Sequence, residues 1–204
     1  DLAWSRGLGD VYKRQVKDML NLTRRQVTAP RIIPLKDWLL DTIEDYKESE
    51  KLKDFHINML EIDDNLSISF DTNHLQQIIF NLFNNAVEHA QPESGTVAIM
   101  LSSGQWPESD RIWLDISDNG QGIDEDVAEH IFDPFYTTNH QGTGLGLYIV
   151  RELCETNQAR LSYIPTNKHG TTFRITFANS EEWLDVEQDS QSDFDKPDAQ
   201  INLQ

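Results

Sequence analysis

The stretch from Asp71 to His89 constrains the fold more than any other. Leu75, Ile78, Ile79, Leu82, Phe83 and Ala86 recur at three- and four-residue spacing, the period of one broad helix face. Asp71 stands just ahead of this run as an N-cap, a position that favours a short side chain accepting from the first-turn N–H groups. An apolar stripe of this width must be buried against another layer. The flanking segments supply that layer, because His56–Ile62, Leu66–Phe70, Thr96–Leu101, Arg111–Ile116, Arg160–Ile164 and Thr171–Phe177 read as strands. Ser102–Asp110, with Gly104 and Pro107, is expected to be a hairpin loop. Trp38, Leu39, Ile43 and Tyr46 predict a second helix, and Leu145–Glu155 a third. Val16–Gln26 reads as the end of a further helix, stopped by Pro30 and Pro34. The fold class that follows is α+β: a two-layer α/β sandwich with helices on one face of a mixed sheet, preceded by a helix remnant.

Charge narrows the function classes. The 204 residues carry 17 Lys and Arg against 35 Asp and Glu, a net charge of −18. Gripping a phosphate backbone by charge needs clustered cations, so neither nucleic acid nor an anionic membrane surface is expected as a direct partner. The charge is uneven. Residues 1–36 hold eight basic and three acidic side chains, whereas residues 181–204 hold Lys196 against eight acids. The tail 181–204 is rich in Asp, Ser and Gln, and its composition predicts disorder. Asp1–Gln15 shows no clear period, lacks the apolar core of a signal peptide, and is set aside as a non-native or unstructured lead. Cys154 is the only cysteine, which excludes an internal disulfide framework and a multi-cysteine zinc site.

Four clusters carry candidate chemistry. On the long helix Asn81 and Asn85 lie one turn apart on one face, with Glu88 on the same side and His89 next to it. Such a polar seam is met by solvent, by internal hydrogen bonds, or by a hard cation that takes oxygen ligands. Asp118-Asn119-Gly120-Gln121-Gly122-Ile123 follows a strand. It is either an ordinary turn or a carboxylate that accepts from the exocyclic amine of a base, with glycines that admit the ligand closely. Ile131–Thr138 gathers three aromatics around Pro134, as core filler or as the anchor of a mobile flap. Gly142-Thr143-Gly144-Leu145-Gly146-Leu147 opens a helix, where free N–H groups and the dipole suit phosphate. No Lys-Ser/Thr follows these glycines, so they are not a P-loop.

In this order the clusters resemble the N, G1, F and G2 boxes of the histidine-kinase catalytic and ATP-binding domain, within the wider ATPase group that includes gyrase, Hsp90 and MutL. The N box is Gln77–His89, the G1 box Asp118–Ile123, the F box Phe132–Phe135 and the G2 box Gly142–Leu147. The resemblance covers about residues 30–180 and implies the Bergerat ATP-binding fold, with ATP and Mg²⁺ as cofactors. It implies that Asn85 ligates Mg²⁺, that Asn81 faces the phosphates, and that Glu88 and His89 border them. Asp118 then reads the adenine amine, while Gly120, Gly122 and Ile123 shape its pocket. Phe132 and Phe135 brace a lid over 124–141, and Gly142, Thr143, Gly144, Leu145, Gly146 and Leu147 present backbone to the phosphates. The implied activity is transfer of the ATP γ-phosphoryl group to a histidine on a helical hairpin, the chain's own or a partner's, for relay to a response regulator. The resemblance also implies a homodimeric parent anchored in the inner membrane, with this domain on the cytoplasmic side. Residues 16–29 resemble the exit of that hairpin. Arg24-Arg25 and the acidic tail resemble type IV pilus sensor kinases.

The sequence departs from the family pattern in four places. Glu88 stands where many members carry Lys, and Asn139 replaces a Lys after the F box. Thr156-Asn157-Gln158-Ala159 replaces His-Gly-Gly. No His-Glu-Ile/Leu-Arg-Asn-Pro phosphoacceptor motif occurs in these residues, so the chain is expected to bind ATP without phosphorylating itself. Two other readings are a non-catalytic nucleotide-binding interaction module and an ATPase of the gyrase or Hsp90 kind.

Overall fold

In the computed structural model the predicted apolar stripe is the centre of the core. Helix α2 (Thr72–His89) buries Leu75, Ile78, Ile79, Leu82, Phe83 and Ala86, and the Asp71 carboxylate caps it by accepting from the N–H groups of Asn73 and His74. The structure describes residues 28–49, 55–89, 96–138, 142–165 and 170–179. The lead, the helix end expected at Val16–Gln26 and the acidic tail lie outside the described residues.

Five strands form the main sheet: β2 (Phe55–Glu61), β4 (Val97–Gln105), β5 (Ile112–Asp118), β6 (Arg160–Ile164) and β7 (Thr172–Thr176). Their spatial order is β2-β4-β5-β7-β6. The β2–β4 pair is parallel and the others are antiparallel, so the sheet is mixed. Strand β4 alternates buried and half-buried residues along its length, as a sheet with one covered face requires. Ile99, Leu101, Leu114, Ile116 and Ile175 face the helices. Helix α4 (Gly146–Thr156) adds Val150, Leu153 and Cys154, and helix α1 (Leu35–Ser49) adds Leu39, Ile43 and Tyr46. The Tyr46 ring meets Phe55, Phe80 and Phe83 at centroid distances of 5.1–5.4 Å, which closes one end of the core. On the other face Arg174 pairs through two nitrogens with Asp115, at 2.6 and 2.7 Å, and lies 4.5 Å from the Trp113 ring centroid.

Two features depart from the sequence reading. A second, two-stranded sheet joins β1 (Arg31–Pro34) to β3 (Ser67–Phe70). Pro30 and Pro34 mark helix stops in the sequence, but proline is also tolerated at the end of an edge strand, where Pro34 pairs with Ser67. The expected loop Ser102–Asp110 is shorter, because β4 continues to Gln105. Gly104 is a strand residue that lets the opposing indole lie across it: a Cβ there would stand 2.6 Å from Trp113 Cζ2. This glycine marks a close approach and not a turn.

Candidate active site

Three local arrangements bring the predicted residues together, each set by backbone geometry. The first joins α2 to the start of α4. A Cβ on Gly146 would lie 3.6 Å from Asn85 Oδ1 and 3.7 Å from Asn81 Oδ1, so both carboxamide oxygens face the first residue of α4. Asn81 is turned this way because its Nδ2 donates to the Gln77 carbonyl at 2.8 Å. Asn85 Nδ2 is buried and finds no acceptor among the described residues. A buried donor without a partner costs about 1–3 kcal/mol, and a ligand oxygen at this position removes that cost. Leu145 occupies the N-cap of α4 and makes no side-chain cap, so the anion-favouring end of the helix opens towards the two asparagines.

The second arrangement holds Asp118. Its Oδ1 accepts from Gly120 N at 2.8 Å and Thr171 N at 3.2 Å, while Asp118 N donates to the Thr171 carbonyl at 2.9 Å. The carboxylate orientation is therefore fixed from the backbone. Burial pushes the Asp118 carboxyl above its ordinary value, and the two N–H groups pull against that rise. Gly122 and Gly170 have φ of +88° and +108°. A Cβ on Gly170 would stand 2.1 Å from the Asp118 carbonyl oxygen, so only glycine allows this approach. Gly170 and Thr171 begin a Gly-Thr-Thr-Phe run that also resembles the family, but the resemblance gives them no role in the site. Their signal in the sequence is a Gly-Thr pair directly before a strand.

The third arrangement ties the aromatic segment to the second glycine loop. Phe135 N donates to the Gly144 carbonyl at 2.8 Å, and Phe135 has φ +68°, a costly conformation for a bulky residue. A Cβ on Gly144 would meet the Phe135 carbonyl carbon at 2.5 Å. Phe132 packs on Phe173 of the sheet with centroids 6.3 Å apart, and Ile123 O accepts from the Tyr163 hydroxyl at 3.4 Å. Between the two loops runs the short helix α3 (Glu125–Ala128), and His130 pairs with Asp133 at 2.9 Å. Residues 139–141 of the expected lid lie outside the described residues.

The remaining predicted residues sit around these groups. Gly142 and Thr143 are exposed, and Leu147 packs against the core. Glu88 and His89 are exposed on the last turn of α2. An open groove of about 370 Å³ runs along the neighbouring flank of α2, lined by Asn73, Gln76, Gln77, Phe80, Asn81 and Asn84, and shares only Asn81 with the predicted set. Cys154 is buried, and burial pushes its thiol far up, so it is no nucleophile. Among the described residues no group of three or more His, Cys, Asp or Glu side chains could hold a metal ion, and no helix is long and apolar enough to cross a membrane.

Comparisons with known proteins bear on the family and the fold. The family model for histidine kinase-, DNA gyrase B- and HSP90-like ATPases matches residues 70–181, which include all four boxes. The chain is 35% identical over 164 residues to the sensor protein kinase PilS of Pseudomonas aeruginosa, a match that covers 80% of this chain and 31% of PilS. It is 26% identical over 177 residues to the sensor histidine kinase ZraS of Salmonella typhimurium, across 87% of this chain and 36% of ZraS. The chain thus spans about a third of the length of these relatives. Among solved structures, the catalytic domain of histidine kinase ThkA superposes with a TM-score of 0.61 at 22% identity, covering 74% of this chain and 96% of that one. Full-length ShkA in complex with AMPPNP gives 0.64 at 20% identity, covering 86% of this chain and 39% of ShkA. At these identities the likeness shows a shared fold: the mixed sheet with helices is that of the histidine kinase catalytic domains. With more than half of its residues matched by the family model, this chain belongs to the histidine kinase-, DNA gyrase B- and HSP90-like ATPases.

Proposed function

We propose that this chain is the ATP-binding catalytic domain of a sensor histidine kinase. It transfers the γ-phosphoryl group to a histidine on a helical hairpin, from which the phosphoryl group passes to an aspartate of a response regulator. The observation that carries this reading is the convergence of Asn81 Oδ1 and Asn85 Oδ1 on Gly146, beside Asn85 Nδ2, which has no acceptor among the described residues. Two neutral oxygens at a helix N-terminus suit a metal–phosphate pair. The phosphates face the dipole, and a hard cation takes carboxamide oxygen.

Each group has a role in this reading. Asn85 would hold Mg²⁺, which neutralises phosphate charge when bound, and Asn81 would face the phosphates beside it. Asn85 Nδ2 donates to a phosphate oxygen. The first turn of α4 and the glycines before it supply backbone N–H donors. Asp118, held by Gly120 and Thr171, accepts from the adenine amine. The Phe135–Gly144 stitch couples the aromatic segment to the phosphate loop, so closure over the nucleotide and shaping of that loop are one event. Catalysis by such a domain is mainly positioning and charge stabilisation. The parent protein in this reading is a homodimer anchored in the inner membrane, with this domain on the cytoplasmic side.

The test combines the full chain, Mg²⁺ and γ-labelled ATP with a separately supplied phosphoacceptor hairpin. Acid-labile, base-stable label on the hairpin supports the reading. Nucleotide binding without any transfer would point instead to a non-catalytic nucleotide-binding module.

A further inference from the structure

The site lies at one end of the α2–α4 pair. The other end is closed by a buried polar knot that the proposed chemistry leaves unused. Asn157 follows α4 and has no exposed surface, and His74 in the first turn of α2 is also buried. Asn157 Oδ1 accepts from Asp71 N at 3.1 Å, and its Nδ2 donates to the Leu153 carbonyl at 2.8 Å. These two contacts fix the amide, because turning it over would set oxygen against oxygen and N–H against N–H. The second Nδ2 hydrogen then faces His74 Nδ1, 3.0 Å away. His74 Nδ1 must therefore accept, which makes the ring the Nε2–H tautomer. Asp71 completes the knot: its Oδ1 caps α2, and its Oδ2 accepts from Ala29 N at 3.0 Å, where the chain leads into the domain.

The end of α4 thus meets the start of α2, while the start of α4 meets Asn81 and Asn85, so the two helices run antiparallel. About 15 Å of helix separates the knot from the asparagines. Apolar packing between two helices tolerates small slides, whereas directional hydrogen bonds between buried groups do not.

We propose that His74 and Asn157 are positioning residues for the nucleotide site: their hydrogen bond fixes the register of α4 on α2 and so the spacing of Asn81 and Asn85 from Gly146. This rests on the reading of that site as the ATP site. Two substitutions of His74 separate positioning from bulk. His74→Asn keeps an acceptor at the place of Nδ1 but leaves a cavity. His74→Leu fills the space but removes the acceptor.

In titrations of the full chain with Mg-ATP, His74→Leu is expected to raise Kd about tenfold. His74→Asn is expected to leave Kd near the unaltered value while lowering Tm. The opposite order, or unchanged affinity in both, overturns the proposal. If the unaltered chain binds no ATP, it is the functional reading that fails. The side-chain amide resonances of Asn81 and Asn85 in the nucleotide-free chain then decide: shifts in His74→Leu but not in His74→Asn support the register lock, and shifts in neither refute it. The ring nitrogens of His74 in the unaltered chain give a check that needs no variant. A bare Nδ1 and a protonated Nε2 are expected, and a protonated Nδ1 overturns the proposal.

Discussion

Both ends of the α2–α4 pair place asparagine carboxamides between the two helices, and those carboxamides reach opposite states. At the knotted end the Asp71 carboxylate, His74 Nδ1 and the Asn157 amide are hydrogen-bonded to one another or to backbone. At the open end Asn81 and Asn85 turn both oxygens towards a helix N-terminus, and Asn85 Nδ2 stays unpartnered among the described residues. Carboxamides cost little when satisfied inside a protein and cost stability when they are not. A seam satisfied at one end and unsatisfied at the other is the expected signature of a scaffold ending in a binding site.

The largest expected effect breaks the backbone behind the open end. Gly170→Ala forces a Cβ into the Asp118 carbonyl at a positive φ, a loss on the order of 3 kcal/mol or more in urea unfolding, with ATP binding lost. Next, Asn85→Ala removes an oxygen ligand and is expected to weaken Mg-ATP binding about 100-fold, with Tm unchanged or slightly raised because the orphan donor is gone. Asp118→Asn sharpens the same contrast. Its folded pKa is raised, so the native state disfavours the charged carboxylate, and the wild type loses stability as pH climbs from 3.8 through the folded value. The Asn variant is spared that loss and is expected to melt higher than wild type at pH 7 while binding ATP more weakly.

At the knotted end the sign reverses. Asp71→Ala removes the helix cap and the Ala29 tie, costing about 1–2 kcal/mol at pH 7. Burial alone would raise the Asp71 carboxyl, but the backbone N–H groups of Ala29, His74 and Asn73 outweigh it and lower it. The stabilisation is therefore present above 3.8 and fades as pH falls through the folded value, so wild-type and variant melts should converge in acid. The smallest effect is Gln158→Gly. Gln158 holds φ +56° after α4, and glycine there is expected to add about 0.5–1 kcal/mol in thermal unfolding.

Much of this was legible in the sequence, for identifiable reasons. The α2 stripe and its Asp71 cap follow from helix period and capping chemistry, both local. The four boxes were legible because their signals are local: the N box shows its asparagines at helical spacing, and Gly122 and Gly144 stand where a positive φ is required. What stayed hidden depends on contacts distant in sequence. Gly104 looked like a turn because its partner, Trp113, lies across the hairpin. Asn157-Gln158 departs from the family's His-Gly-Gly with no local sign of a task, yet Asn157 ties together α2, α4 and the Asp71 backbone. Gly170 and Thr171 hold Asp118 from 52 and 53 residues away, a separation that local patterns do not carry.

The central claim is that the Asn81–Asn85–Gly146 convergence is a metal–nucleotide site. Calorimetric titration of the full chain with ATP, run with and without Mg²⁺ on wild type and Asn85→Ala, tests it most directly. The claim predicts Mg²⁺-enhanced binding in wild type and loss of both affinity and Mg²⁺ dependence in the variant. Equal ATP affinity for the two proteins, with the same response to Mg²⁺, would contradict it.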